Sequence, residues 1–222
     1  MGRKNKGMKG KIEGLYVILD PSFLKDVSEV EAAAAIARGG ARVVQWRDKT
    51  RDKGEQLPIV REVNRICAEG GVVSIVNDHV DLALASGADG VHLGQKDLPL
   101  VEARALMPEE AVIGVSTATV EEAKRAEAEG ASYIAVGSIY PTTSKAVTRP
   151  AGLATLESVA GAVSAPVVAI GGINADNVEP VVDAGADSVC VISAALSGPD
   201  IEAAARELSL KIRASARGRR AG

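Results

Sequence analysis

The chain has 222 residues, of which 46% are hydrophobic and only 2% aromatic, and its formal net charge is −3. This length suits one α/β domain whose core is built from Ala, Val, Ile and Leu. Two cysteines and two histidines are too few for a disulfide scaffold, a cysteine-rich zinc or iron–sulfur site, or a histidine-cluster metal centre. We therefore expect a protein of a reducing compartment, with the cytoplasm as the default.

The basic residues are unevenly distributed. Residues 1–12 and 211–222 each carry five basic residues and no acidic ones, which leaves 16 basic against 29 acidic residues and a charge of about −13 on the rest. So acidic a body is not typical of a nucleic-acid-binding domain. No apolar run is long enough to span a membrane, and the N-terminus lacks the apolar segment of a secretory signal. We expect disordered basic tails at 1–12 and 213–222, around a barrel at 13–212.

Short apolar, β-branched runs alternate along the chain with Ala- and Glu-rich segments that have apolar residues three or four positions apart. Such runs are typical of parallel strands covered on both faces. The eight predicted strands are residues 15–19, 42–46, 72–76, 90–93, 111–115, 133–136, 167–170 and 188–192. The predicted helices are residues 27–38, 56–69, 81–86, 99–106, 120–129, 153–163, 174–183 and 201–212.

Gly-Ala pairs at residues 40–41, 87–88, 130–131 and 185–186 each follow a predicted helix and precede a strand. Glycine there predicts a helix end in the left-handed conformation. Eight βα units could form a closed barrel or an open doubly wound sheet. The barrel is favoured because the count is eight and no strand–turn–helix carries a dinucleotide or P-loop glycine motif. In a (β/α)8 barrel the active site lies at the carboxyl ends of the strands.

Polar residues follow the second predicted strand as Gln45-Trp46-Arg47-Asp48-Lys49. Alternation places Gln45 and Arg47 on one side of the strand and Trp46 on the other, against the outer helices. Two cations and an amide at one strand end suit an anion with several oxygens. The alternative is a solvated loop with an Asp48–Lys49 surface pair.

Acidic residues follow the next two strands. Asn77-Asp78-His79 ends the third, and Asp97 follows the fourth. Neighbouring strands would bring Asp78 and Asp97 together, and two carboxylates with phosphate oxygens and water suit Mg²⁺. Each aspartate could instead cap the helix that follows it.

The later strands end in small and hydroxyl residues. Ser116 and Thr117 follow the fifth strand and could also cap a helix, as could Thr119. Three hydroxyls and a lysine at 142–145 could wrap a phosphate or form a plain turn. Gly171-Gly172 and Ile192-Ser193 follow strands seven and eight, the recurrent phosphate pocket of such barrels. We read Cys67, Cys190 and His92 as packing residues.

These motifs resemble, in order from about Gly14 to Leu196, the thiamine-phosphate synthase family. The resemblance is carried by residues 45–49, 76–78, 90–97, 114–116, 141–145, 169–173 and 191–193. It implies a (β/α)8 transferase that joins 4-amino-2-methyl-5-hydroxymethylpyrimidine diphosphate to a thiazole phosphate. The products would be thiamine phosphate and diphosphate, and a pyrimidine methylene cation would form as the diphosphate leaves.

The resemblance also implies roles for individual residues. The expected contacts of the pyrimidine diphosphate are Gln45, Trp46, Arg47, Asp48, Lys49, Asn77, Ser116 and Lys145. Arg47, Lys49, Lys145 and Ser116 would be catalytic, and Asp78 and Asp97 would bind Mg²⁺. The expected contacts of the thiazole phosphate are Thr142, Thr143, Ser144, Gly172, Ile192 and Ser193.

Three positions depart from the family pattern. His79 stands where the family usually has Arg, Ser144 replaces the second Thr of the loop, and Ala118 stands where His is common. Ser144 keeps a hydroxyl, so we expect little effect there. His79 could weaken diphosphate binding or be charged by the anion.

Three other functions remain open at this point. A thiazole tautomerase of the same superfamily would bind only the thiazole phosphate and would not need the cations or the two aspartates. A non-catalytic phosphate-binding barrel would bind without turnover. Basic tails acting as nucleic-acid arms would give at most nonspecific, salt-sensitive binding. The expected partners are therefore small molecules, without a specific nucleic acid or a membrane, and the sequence does not indicate an oligomeric state.

Overall fold

The computed structural model describes residues 12–142 and 150–221, with the side chains of 217–221 left out. Eight parallel strands pair in chain order, and β8 closes the barrel by pairing with β1. The strands are β1 (Gly14–Leu19), β2 (Val43–Trp46), β3 (Val73–Asn77), β4 (Gly90–Leu93), β5 (Val112–Thr117), β6 (Tyr133–Gly137), β7 (Val167–Ile170) and β8 (Ser188–Val191). The predicted (β/α)8 barrel is confirmed.

The helices cover the outside of the barrel. They are α1 (Glu29–Arg38), α2 (Lys53–Gly70), α3 (Val80–Ser86), α4 (Leu100–Leu106), α5 (Val120–Ala128), α6 (Gly152–Ala162), α7 (Val178–Asp183), α8 (Ser193–Leu196) and α9 (Ile201–Ala221). Ser28 and Glu31 form a capping box that starts α1. The four glycines of the Gly-Ala pairs all have positive φ, between 73° and 104°, as predicted for residues that end helices.

The helices after β7 and β8 differ from the sequence prediction. The helix expected from residue 174 begins only at Val178. The side chains of Asn174 and Asn177 instead bond to the backbone amides of Asp176 and Asn174, which holds this segment in a turn. The four-residue α8, which begins at Ser193, was not predicted because four residues are too few to show a helical period.

The expected domain boundaries also need correction. Ile12 is fully buried in the core, so the N-terminal tail ends before it. The last helix continues to Ala221, through residues assigned to a C-terminal tail. The physical reason is that the apolar series Ile201, Ala205, Leu208 and Ile212 extends by one turn to Ala216, which packs against the core. Residues 1–11 and 222 lie outside the described chain.

Valine, isoleucine, leucine and alanine dominate the core, as predicted. The largest fully buried side chains include the exceptions Tyr16, Trp46 and Tyr133. Among residues 12–142 and 150–221, no helix is both long enough and apolar enough to cross a membrane.

Candidate active site

A cavity of about 840 Å³ opens at the carboxyl ends of β4 to β8. Five residues assigned to the substrates line it together: Ser116, Thr142, Gly172, Ile192 and Ser193. Apolar side chains of Ile170 and Ile173 share this lining with polar groups. The cavity therefore combines an apolar wall with hydroxyl and backbone groups that suit a small phosphorylated ligand.

Gln95 and Lys96, for which the sequence motifs predict no role, also line the cavity. The Gln95 amide donates to the Ser116 carbonyl at 2.7 Å, which ties the loop after β4 to the end of β5. Lys96 is exposed, and its position adds a cation to the rim. Both residues stand inside the strand-end motif that was read from the sequence, so position alone could have identified them.

Gly171 and Gly172 shape the floor of the loop after β7. Both have positive φ, at 108° and 66°. A Cβ on Gly171 would come within 2.5 Å of the Ser138 Cβ, and one on Gly172 within 2.5 Å of the Pro141 carbonyl oxygen. The two glycines are thus required for the loops after β6 and β7 to pack together, whether or not an anion binds there.

A cluster of charged groups lies at the ends of β2, β3 and β4. Lys49 forms an ion pair with Asp78, and Asp78 lies within hydrogen-bond contact of Asp97. Asp97 also accepts from the Gly94 amide at 2.7 Å. Burial and the neighbouring Asp78 raise the pKa of Asp97. For Asp78, burial would raise the pKa, but the hydrogen bonds from Lys49 and Asp97 outweigh it and lower the pKa.

Helix capping, the alternative role of the two aspartates, does not occur. The N-cap of α3 is His79, and that of α4 is Pro99, each without a side-chain capping bond. Asp78 itself has a left-handed backbone with φ of 63°, unusual for a residue other than glycine. Its carboxylate is turned to Lys49 and Asp97 instead.

Arg47 is paired with a residue that is not among the predicted site residues. Its Nη1 donates to Asp20, which directly follows β1 and is 3% exposed. Asp20 also accepts from the Ser22 amide at 3.0 Å and from its hydroxyl at 2.6 Å. Asp20 directly follows the first apolar run, so the rule applied to the later strands would have found it.

Two residues of the 45–49 segment are placed away from a substrate. Trp46 is 2% exposed, and its indole N–H donates to Gln56 of α2 at 2.8 Å. Asp48 accepts from the amide and hydroxyl of Thr50 and from Arg51, within the loop after β2. Trp46 packs outward, as alternation predicted, and Asp48 shapes the loop, so the contact of these two residues with the pyrimidine diphosphate stays a prediction from the resemblance.

The remaining predicted residues after β3 and β5 lie at the mouth. Asn77 ends β3, and His79, two residues later, is the N-cap of α3 near Asp81. Thr119, not Ser116, caps α5 by accepting from the Glu122 amide. Thr143, Ser144 and Lys145 lie outside the described residues.

The barrel interior contains a continuous row of polar side chains. Gln45 Nε2 donates to the Tyr16 hydroxyl at 2.6 Å, which lies 2.9 Å from the Tyr133 hydroxyl. His92 Nδ1 lies 3.0 Å from the Tyr133 hydroxyl, and its Nε2 lies 2.9 Å from Ser116 Oγ. His92 is a packed interior residue, as predicted, but it is also part of a row that local sequence patterns did not reveal.

Within the described residues, no group of three or more His, Cys, Asp and Glu side chains is arranged to hold a metal ion. Asp78 and Asp97 supply two carboxylates, one fewer than such a group needs. A pair of oxygen donors suits Mg²⁺, which binds few protein ligands and shares the phosphates of its substrate. The contact between the two carboxylates, and the raised pKa of Asp97, also fit a place where a cation would relieve their repulsion.

Comparison with known proteins agrees with the barrel and with the motifs. The family model described as thiamine monophosphate synthase matches residues 15–195. A thiamine-phosphate synthase of Methanospirillum hungatei is 47% identical over 197 residues, covering 88% of this chain and 96% of the relative. A thiamine-phosphate synthase of Methanocella arvoryzae is 49% identical over 195 residues, covering 87% and 92%.

A solved structure is also similar. The thiamine phosphate pyrophosphorylase of Pyrococcus furiosus superposes with a TM-score of 0.86 at 36% identity, over 94% of this chain and 98% of that one. Residues 15–195, which the family model matches, include the charged cluster and the residues that line the cavity. The chain belongs to the thiamine monophosphate synthase family.

Proposed function

We propose that the protein joins 4-amino-2-methyl-5-hydroxymethylpyrimidine diphosphate to a thiazole phosphate, forming thiamine phosphate and diphosphate. The observation that carries this proposal is the pairing of two features at one barrel mouth. A cavity of about 840 Å³ lies at the ends of β4 to β8, and a cluster of cations and carboxylates lies at the ends of β1 to β4. Two substrates, one of them a diphosphate, account for both features. Family membership supports the same reaction.

The reaction breaks the bond between the pyrimidine methylene carbon and the diphosphate oxygen, and the electron pair leaves with the diphosphate. The lone pair of the thiazole nitrogen then forms the new bond to that carbon. Negative charge gathers on the diphosphate as it departs, so cations at that place lower the barrier. No strong base or nucleophile is required of the protein.

Arg47 and Lys49 are the cations proposed to bind the diphosphate. Arg47 is 15% exposed and held in place by Asp20, so it binds an anion without first being ordered. Lys49 is half exposed and paired with Asp78, so it can move between that carboxylate and a phosphate oxygen. Lys145 stays a sequence-based prediction for the same anion.

Asp78 and Asp97 would hold Mg²⁺ in this proposal. When bound, the ion supplies positive charge against the diphosphate oxygens. The two carboxylates come from the ends of neighbouring strands, β3 and β4, and the amide of Gly94 orients Asp97 toward Asp78. The chain's own contribution is thus a rigid pair of oxygen ligands beside Lys49.

Ser116 lies where the two regions meet. It lines the cavity, and its hydroxyl lies 2.9 Å from His92 Nε2 in the barrel interior. Thr142, Gly172, Ile192 and Ser193 are proposed to bind the thiazole phosphate on the opposite side of the cavity. Thr143 and Ser144 are predicted to take part from the same loop.

The test is an assay of purified protein with both substrates and Mg²⁺, measuring diphosphate release and thiamine phosphate together. We expect both products in equal amounts, and only when both substrates are present. Absence of product at every Mg²⁺ concentration would refute the proposal. Conversion of the thiazole phosphate to an isomer, without diphosphate release, would identify the tautomerase instead. The cytoplasmic location and the small-molecule partners are proposed with this function.

A further inference from the structure

The hydrogen bonds along the row of polar side chains in the barrel interior all donate in one direction, from Gln45 toward Ser116. Gln45, Tyr16, Tyr133 and His92 are each less than 9% exposed, and they come from β2, β1, β6 and β4. Ser116 of β5 ends the row at the cavity. The row therefore joins two substrate-side residues, Gln45 and Ser116, through three residues that the proposed function leaves without a role.

The direction follows from the Gln45 amide. Its Nε2 can only donate, so the Tyr16 oxygen accepts. Burial raises the pKa of both Tyr16 and Tyr133, so each phenol keeps one proton to donate. With its oxygen already accepting from Gln45, the Tyr16 hydroxyl donates to Tyr133. An orphaned buried hydroxyl proton would be costly, so the other order is disfavoured.

The same reasoning continues to the cavity. The Tyr133 hydroxyl accepts from Tyr16 and donates to His92 Nδ1. A ring nitrogen that accepts carries no proton, so the His92 ring carries its proton on Nε2. Nε2–H then donates to Ser116 Oγ, which leaves the Ser116 proton available toward the cavity.

We infer that Tyr16, Tyr133 and His92 form a one-way hydrogen-bond chain that fixes the Gln45 amide and the Ser116 hydroxyl in the orientation a substrate needs. The three are positioning residues for the proposed synthase reaction. Only the kinetic test of this inference rests on the proposed function. One end presents an acceptor, Gln45 Oε1, a fully buried oxygen that has no hydrogen-bond partner among the described residues. The other end presents a donor, the Ser116 hydroxyl.

An unpaired buried amide oxygen points to a ligand. Gln45 is 2% exposed, and leaving such an oxygen unpaired costs free energy that a bound donor would recover. If the amide were turned round, Oε1 would accept from Tyr16 and every bond of the chain would reverse. The His92 ring would then carry its proton on Nδ1, so the tautomer of His92 reports the direction of the whole chain.

Packing holds the chain in register. Gly114 pairs with both His92 and Tyr133 across the strands, and a Cβ there would lie 1.9 Å from Tyr133 Cζ. Without a side chain at 114, the Tyr133 ring lies against the His92 ring with centroids 5.6 Å apart. The strand-end motif that begins at Gly114 thus makes room for the middle of the chain.

The direct experiment is ¹⁵N NMR of protein labelled at its histidines. The chain has only two, His79 and His92. A His79→Gln variant assigns the signals. We expect the His92 proton on Nε2, seen as a one-bond N–H coupling there and none at Nδ1. A proton on Nδ1, in the other tautomer or in an imidazolium, would overturn the inference. This readout needs no substrate and no activity.

The kinetic experiment uses Tyr133→Phe, which removes one hydroxyl from the middle of the chain and keeps the ring. We expect kcat/KM for the pyrimidine diphosphate to fall about tenfold, with KM for the thiazole phosphate unchanged. Tyr140→Phe is the matched control, because its hydroxyl bonds only to the Asn177 carbonyl, at 3.3 Å, among the described residues. Tyr16→Phe should give the same result. It replaces Tyr133→Phe as the test if Tyr133→Phe folds poorly.

The two experiments separate the possible failures. Equal losses for both substrates in Tyr133→Phe would show a general structural role and refute the positioning role. No synthase activity in the unsubstituted protein would refute the proposed function, while the NMR result would still decide the direction of the chain.

Discussion

The guanidinium of Arg47, which follows β2, is held by the buried carboxylate of Asp20, which follows β1. The pair joins adjacent strand ends, and both side chains are largely shielded from water. Asp20 is also fixed by Ser22, so Arg47 has a single preferred position. A cation placed in this way contributes more to anion binding than a mobile one, because its side chain is already fixed in the folded protein and loses little entropy on binding.

The first prediction concerns this pair. Asp20→Asn should raise KM for the pyrimidine diphosphate about tenfold and lower the free energy of unfolding by about 3 kcal/mol, because it leaves a buried arginine without its counter-ion. Steady-state kinetics and urea denaturation measure the two effects. Asp26→Asn, at an exposed carboxylate nearby in the chain, should change neither. An unchanged KM in Asp20→Asn would mean that Asp20 does not position Arg47.

The second prediction concerns Mg²⁺. Asp78→Asn and Asp97→Asn should each raise the Mg²⁺ concentration needed for half-maximal activity by about tenfold or more, because each removes one charged ligand. Titration calorimetry with Mg²⁺ gives an independent readout. Asp81→Asn serves as the control, because its carboxylate pairs with Lys53 on the surface. Wild-type dependence on Mg²⁺ in both variants would remove the metal assignment.

The third prediction concerns the interior of the barrel. Gly114→Ala should destabilise the protein by about 3 kcal/mol, since the new methyl group would overlap the ring of Tyr133. Gly161→Ala is the matched control, because nothing lies within 4 Å of a Cβ there and alanine favours its helix by up to about 1 kcal/mol. The midpoint of thermal denaturation should therefore fall in Gly114→Ala and rise in Gly161→Ala. Similar midpoints for the two variants would contradict the packing around Tyr133.

The fourth prediction concerns pH. Burial would raise the pKa of Asp48, but hydrogen bonds from Thr50 and Arg51 outweigh it and lower the pKa below its ordinary value. A carboxyl group with a lowered pKa in the folded state stabilises the protein above its unfolded pKa, and this stability is lost as pH falls through the folded value. Asp48→Asn should therefore cost about 1 kcal/mol at pH 7 and progressively less below pH 4.

The measurement for Asp48 is the urea midpoint of variant and parent between pH 3 and pH 7. Asp183→Asn, at an exposed carboxylate of α7, is the control and should follow the parent throughout. A constant difference between Asp48→Asn and the parent at every pH would show that the charge of Asp48 does not contribute.

Much of this protein is determined by local sequence. Alternation of β-branched runs with amphipathic segments predicts eight βα units, because strand and helix periods depend on neighbouring residues. The strand-end rule then locates Lys49, Asp78, Asp97 and Ser116 at one mouth. Alternation within β2 also predicts that Trp46 turns outward, and the structure agrees.

Contacts between distant parts of the chain are decided only by the tertiary structure. Tyr16 and Tyr133 are 117 residues apart, and their contact depends on barrel closure and on the missing side chain of Gly114. The choice for Asp78 between capping α3 and facing Lys49 depends on a left-handed backbone that sequence does not reveal. Local periodicity reports which face a residue takes, whereas its partner across the barrel is selected by strand register and by the space that other side chains leave.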